Sequence, residues 1–141
     1  MRVLLCALLA AVLTGCGGER ACTLLAAESG VDFLVDPALS KKATHIRTCV
    51  ADACRDLKPD PADPLLDSEQ YRYFVIYKAA TRKQRLPVTI RITGRSGTLF
   101  EGSSTVVLED YRPNGKGCPP LAHVAKATAA PSGLRQVPWG R

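Results

Sequence analysis

The chain has 141 residues, 46% of them hydrophobic and 23% charged, a size that makes one domain with a real core. Lys and Arg outnumber Asp and Glu by 19 to 13, for a formal net charge of +6, so the partners to weigh are anionic. Six cysteines and only two histidines bound the metal, redox and acid–base chemistry within reach.

In chain order, the first element is an export signal. Arg2 supplies one positive charge, and residues 3–13 are an unbroken run of Val, Leu, Ala and Cys. A membrane-spanning helix needs about 20 apolar residues, and this run is about half that. It therefore predicts a removable signal peptide over 1–15, not an anchor helix. Leu13-Thr14-Gly15-Cys16 resembles the bacterial lipobox, a branched residue and two small residues ahead of a cysteine. The resemblance implies diacylglyceryl transfer to the Cys16 sulfur, cleavage before it, and a mature chain held on the extracytoplasmic face of the cell membrane. Two or more acyl chains anchor stably where one binds only marginally. A conventional signal peptide with an incidental cysteine is the alternative. Cleavage removes one basic residue, Arg2, and leaves 126 residues with a formal charge of +5.

Cys6 leaves with the signal and Cys16 takes the lipid, so Cys22, Cys49, Cys54 and Cys118 remain, and an even remainder in an exported chain predicts two disulfides. Four cysteines allow three pairings. Cys49-Val-Ala-Asp-Ala-Cys54 selects one: if Ala51-Asp52 is a two-residue turn, Val50 faces Ala53 and Cys49 faces Cys54 as a non-hydrogen-bonded pair, with Cα atoms about 4.5 Å apart. Cys22 is then left for Cys118. A four-cysteine zinc site competes, but the spacing lacks C-x2-C pairs and the compartment is oxidising, so no metal is expected.

Strands follow. Residues 30–36 and 44–49 read as strands separated by Asp36-Pro37, where a short helical turn is expected. Residues 56–69 are acidic and proline-rich, with Asp56, Asp60, Asp63, Asp67 and Glu69; they lack the central Gly of an EF-hand and read as a stiff, solvated loop. Tyr71-Arg-Tyr-Phe-Val-Ile-Tyr-Lys78 is aromatic and β-branched on both faces, which predicts a more central strand. From 85 to 94 the period is two, with Leu86, Val88, Ile90 and Ile92 on one face. Gly94-Arg-Ser-Gly97 predicts a hairpin turn into 98–101, and Gly102 a bulge or bend before a further strand over 103–109. Residues 113–120, Pro-Asn-Gly-Lys-Gly-Cys-Pro-Pro, form a rigid turn-rich loop; 121–129 is an ambiguous Ala-rich strand, and 134–137 a last one. Seven or eight short strands at this spacing predict an all-β fold, an antiparallel β-sandwich.

This combination of lipobox, early Cys after a short tether, Cys pair on a hairpin, and strands running into a Pro-Asn-Gly loop with a Cys resembles a class of short actinobacterial lipoproteins of unassigned function. The resemblance implies a small lipid-anchored, immunoglobulin-like domain over 22–141 behind a tether at 16–21, and implies no chemistry. The acidic insertion at 58–68 departs from the compact members of that class.

Catalytic signals are absent from the motifs. His45 and His123 each fall in an expected strand, and no Ser stands in a G-x-S-x-G context. The expected function is a non-catalytic binding or structural module of the cell envelope, without cofactor; an accessory envelope enzyme is the alternative, to be recognised by a deep pocket holding His45 or His123 beside a carboxylate. Between residues 70 and 100 there are seven basic residues, Arg72, Lys78, Arg82, Lys83, Arg85, Arg91 and Arg95, and no acidic one. An exported, anchored domain does not meet nucleic acid, so Lys78, Arg82, Lys83, Arg85, Arg91 and Arg95 are expected to face anionic lipid or a cell-wall polymer, with the acidic loop outward.

Overall fold

A computed structural model describes residues 22–60 and 71–139. Cys6, Cys16, Asp63, Asp67 and Glu69 lie outside them, as does the expected signal peptide. The strands are β1 (Gly30–Val35), β2 (Ala43–Val50), β3 (Ala53–Leu57), β4 (Tyr71–Ile76), β5 (Arg85–Gly94), β6 (Gly97–Val107), β7 (Glu109–Tyr111), β8 (Ala122–Ala130) and β9 (Gly133–Val137), with one helical turn, α1 (Pro37–Ser40). They form two packed sheets, the expected β-sandwich. Sheet one runs β4-β1-β8, and β7 and β9 share the far edge of β8; sheet two runs β3-β2-β5-β6. β1 lies parallel to β8, and the other pairings among the described residues are antiparallel.

The core between the sheets follows from alternation. Leu86, Val88, Ile90 and Ile92 of β5 point inward with Ile46 and Val50 of β2, and meet Val31, Phe33 and Val35 of β1 and Ala125, Ala127 and Ala129 of β8. Residues 85, 87, 89 and 91 face outward and are exposed. α1 forms because Asp36 Oδ1 accepts from the Ala38 N–H at 2.8 Å while Pro37 presets the first turn.

Cys49 pairs with Cys54 in register, Val50 with Ala53, and the disulfide closes with Cα atoms 4.0 Å apart. Ala51 turns the hairpin at φ +51°, a left-handed conformation unusual for a residue with a Cβ. Cys22 bonds Cys118 with Cα atoms 5.7 Å apart. All four cysteines are therefore spent on disulfides.

Three expectations change. β4 is not central; it is the edge of sheet one. Its second apolar face covers β1: Phe74 lies against Gly30, and Arg72 reaches the buried Asp32, donating from Nε at 2.8 Å and lying 2.6 Å away through Nη2. Its outer edge is covered by Arg55 of β3, which donates to the Phe74 carbonyl at 2.7 Å. Gly102 makes no bulge. β6 is continuous and pairs Gly102 with Ile90, while its register shift lies beside Ile92 and Thr93. A Cβ at 102 would stand 2.8 Å from the Phe100 ring and 3.1 Å from Leu134 Cβ, so the glycine provides clearance for β9. Finally, the strand expected over 103–109 breaks at Leu108, whose N–H donates to the Gln84 carbonyl, and β7 starts afresh in the other sheet.

Candidate functional site

Strand direction sorts the loops onto two poles. β1, β5 and β8 start at one pole, where β2, β4, β6 and β7 end. Hydrogen bonds from Tyr77 N–H to the Ser29 carbonyl and from Ala51 N–H to the Pro87 carbonyl tie these ends together. This pole carries the Cys22–Cys118 bridge, segment 22–29, turn 51–52 and loops 77–84 and 112–121. The opposite pole carries α1, hairpin 95–96 and turn 131–132, together with Leu57 and Tyr71, the strand ends that flank the acidic stretch.

Asn114 fastens the incoming chain. Its Oδ1 accepts from the Thr23 hydroxyl and, at 3.0 Å, from the Leu25 N–H; its Nδ2 donates to the Leu25 and Pro119 carbonyls. Gly115 and Gly117, at φ +88° and +86°, curl the loop so that Cys118 meets Cys22. Sequence reasoning saw the turn in Pro-Asn-Gly but not this clamp.

The six basic residues singled out above do not form one patch. Lys78, Arg82 and Lys83 lie on loop 77–84 and Arg85 opens β5, all exposed at the bridge pole. Exposed Arg112 and Lys116 share that pole, as do Glu28, Asp52, Glu109 and Asp110. Lys83 Nζ stands 3.7 Å from Asp110. Arg91 sits midway along β5, 2.7 Å from Glu101, whose carboxylate raises the guanidinium pKa further. Arg95 lies past the end of β5, about 30 Å of extended chain from Arg85, in a depression it shares with Lys41 and Lys42.

Both histidines stand beside carboxylates. His45 Nε2 is 3.1 Å from Asp56 Oδ1, and Asp56, which belongs to β3 rather than to the acidic loop, also binds Arg47 at 3.0 Å. His123 is almost buried, with Nδ1 3.2 Å from Asp110 Oδ1 but not aligned for a hydrogen bond; its backbone N–H donates to Ser29 Oγ. Neither histidine lines the depressions that follow. The depression on the outer face of sheet two, about 370 Å³, is lined by Arg47, Cys49, Thr89, Arg91, Glu101 and Ser103, and its two arginines are already paired. A second, about 220 Å³, lies on the outer face of sheet one between Phe74, Tyr111, Val124 and Trp139. Among the described residues no three His, Cys, Asp or Glu converge as a metal cage requires, and no helix is long and apolar enough to cross a membrane.

A further depression, about 340 Å³, lies at the bridge pole between Cys22, Leu24, Leu25, Ala26, Pro119 and Pro120. Leu24 and Leu25 were not singled out from the sequence, although an apolar pair outside any strand period, just after a bridging cysteine, is a readable signal. Comparison with protein-family models, with curated proteins and with solved structures gives no match.

Proposed function

We propose that this protein is a lipid-anchored, non-catalytic module of the bacterial cell envelope, displayed on the extracytoplasmic side of the membrane and held there by acylated Cys16. The observation that carries the reading is polar placement. The Cys22–Cys118 bridge fastens the chain, six residues after the lipobox cysteine, to the pole that bears Lys78, Arg82, Lys83 and Arg85. A six-residue tether reaches at most about 20 Å, so these four side chains work within reach of anionic headgroups or wall polymer, where each basic group adds about 1 kcal/mol. Arg91, midway along β5, and Arg95, at the far pole, lie away from that pole and drop out of the contact set. Leu57 and Tyr71, the described strand ends that flank the acidic stretch, lie at that far pole. The two disulfides suit an oxidising compartment.

Cys16→Ser is expected to move the protein out of the membrane fraction or stall its processing; an unchanged distribution and mobility refutes the anchor. The mature domain lacking Cys16 is expected to bind anionic vesicles or wall material weakly and to lose that binding in high salt or on charge reversal at Arg82, Lys83 and Arg85. Equal retention by neutral and anionic vesicles refutes the charge contact.

A further inference from the structure

The bridge pole also carries apolar surface that the fold does not use. Leu24 is 100% and Leu25 58% exposed, and Leu121, next to Pro120, is 40% exposed. Isolated exposed leucines are ordinary. Here two adjacent ones border an apolar depression floored by the bridge and two prolines. The segment that presents them is not loose: Asn114 holds Thr23 and Leu25, and Cys22 is covalently tied. The fold therefore fixes two leucines outward where a flexible linker would serve as well. Exposed Arg112 belongs to loop 112–121, which carries Asn114.

We infer that Leu24 and Leu25 dock into the lipid bilayer interface beside the anchor, so that the domain is seated on the membrane and does not swing on its tether. This rests on the anchored reading above and deepens it. The occupant follows from where the chain leads: Leu24 is eight positions beyond Cys16, and the acyl chains that Cys16 would carry place a bilayer at the same pole. Apolar side chains flanked by basic ones suit an interface of acyl chain and headgroup. In this arrangement the basic loop supplies attraction and the leucines supply depth.

The test uses the mature chain from Cys16 onward, which carries every described strand and both disulfides. Cys16, its one free thiol, is coupled to a maleimide lipid in vesicles of phosphatidylcholine alone or mixed with phosphatidylglycerol, so the outcome does not depend on whether cells acylate Cys16. Leu24→Trp reports depth against the parent, whose single Trp139 gives the baseline. A blue shift and quenching by brominated acyl chains, absent from the parent, seen on phosphatidylcholine alone and lost with Leu25→Asp added, is the expected result. Leu24 is fully and Leu25 58% exposed, and neither belongs to the core cluster, so neither change disturbs it. Quenching no greater than the parent's overturns the inference. So does a signal confined to the anionic mixture and removed by charge reversal at Arg82, Lys83 and Arg85, which would leave electrostatic contact alone. A blue shift that grows with protein concentration without vesicles would assign the patch to a second copy and also overturn it. Failure of the Cys16→Ser fractionation with success here would reject cellular acylation while retaining the docking surface.

Discussion

Removing the Cys22–Cys118 bridge as a pair of alanines tests how the chain's entry is held. The bridge spans 96 residues of sequence and the hairpin bridge 5. On the chain-entropy model these loops stabilise the native state by about 4.7 and about 2 kcal/mol. The structure tightens the first figure. Cys22 precedes Gly30, the start of β1, by eight residues, so if segment 22–29 comes loose without the bridge, the native state regains the freedom of that short loop. Because closure entropy grows with the logarithm of loop length, the net loss then falls to about 2.2 kcal/mol. Asn114 opposes the loosening through its bonds to Thr23 and Leu25, and the expected loss therefore lies towards the upper figure. Equilibrium urea unfolding, with the m-value fitted separately for each chain because opening the loop expands the unfolded state, measures it, and the melting point is expected to fall by roughly 8–18 °C. Amide exchange at Leu25, whose N–H donates to Asn114, shows directly whether the segment stays down. A loss below about 2 kcal/mol, or one smaller than that of the Cys49→Ala/Cys54→Ala pair, refutes the reasoning.

Two further substitutions probe the sheets. Arg72→Ala strands the carboxylate of Asp32, which is 2% exposed, and is expected to cost about 3 kcal/mol in urea unfolding, with Asp32→Ala added in the same chain recovering part of it; a cost below about 1 kcal/mol means water already serves that carboxylate. Thr48 and Tyr73 bring two buried hydroxyls near each other in the core without an aligned hydrogen bond for either, and burial pushes the Tyr73 pKa well up. Thr48→Val, close in shape, is expected to raise stability by about 1 kcal/mol, and a loss of that size would show that the hydroxyl has a partner after all.

β5 was readable because its burial is one-sided: four apolar residues on one face and none on the other admit one orientation. The Cys49–Cys54 hairpin was readable because turn length fixes register. β4 reads as central from sequence because apolar residues on both faces have two causes, a flanking strand on each side or an outer face that folds over its neighbour; here Phe74 and Arg72 do the latter. Gly102 fits bulge and clearance equally well until Phe100 and Leu134 are seen beside it. β8 read as ambiguous since alanine favours helix on its own. Its small side chains are needed because the strand is covered on both faces, Ala125, Ala127 and Ala129 towards the core and Val124 beneath Trp139.

The basic run shows a more general limit. Residues 78–95 are contiguous in sequence, and that contiguity suggested one surface, but an extended strand carries its ends apart, and β5 delivers Arg85 and Arg95 to opposite poles. What brings distant residues together instead is closure. β1 and β8, from the two ends of the domain, run in parallel, and that pairing stacks segment 22–29 on loop 112–121. The bridge, the Asn114 clamp, the exposed leucines and the basic loop share a pole for this reason. Their separations in sequence exceed what local patterning can connect, although each was individually visible as a cysteine, a turn asparagine, an apolar pair or a charge. If Cys16 is acylated, the same closure decides which pole of the sandwich meets the membrane, and the other, with the entry to the acidic stretch, becomes the surface presented to partners.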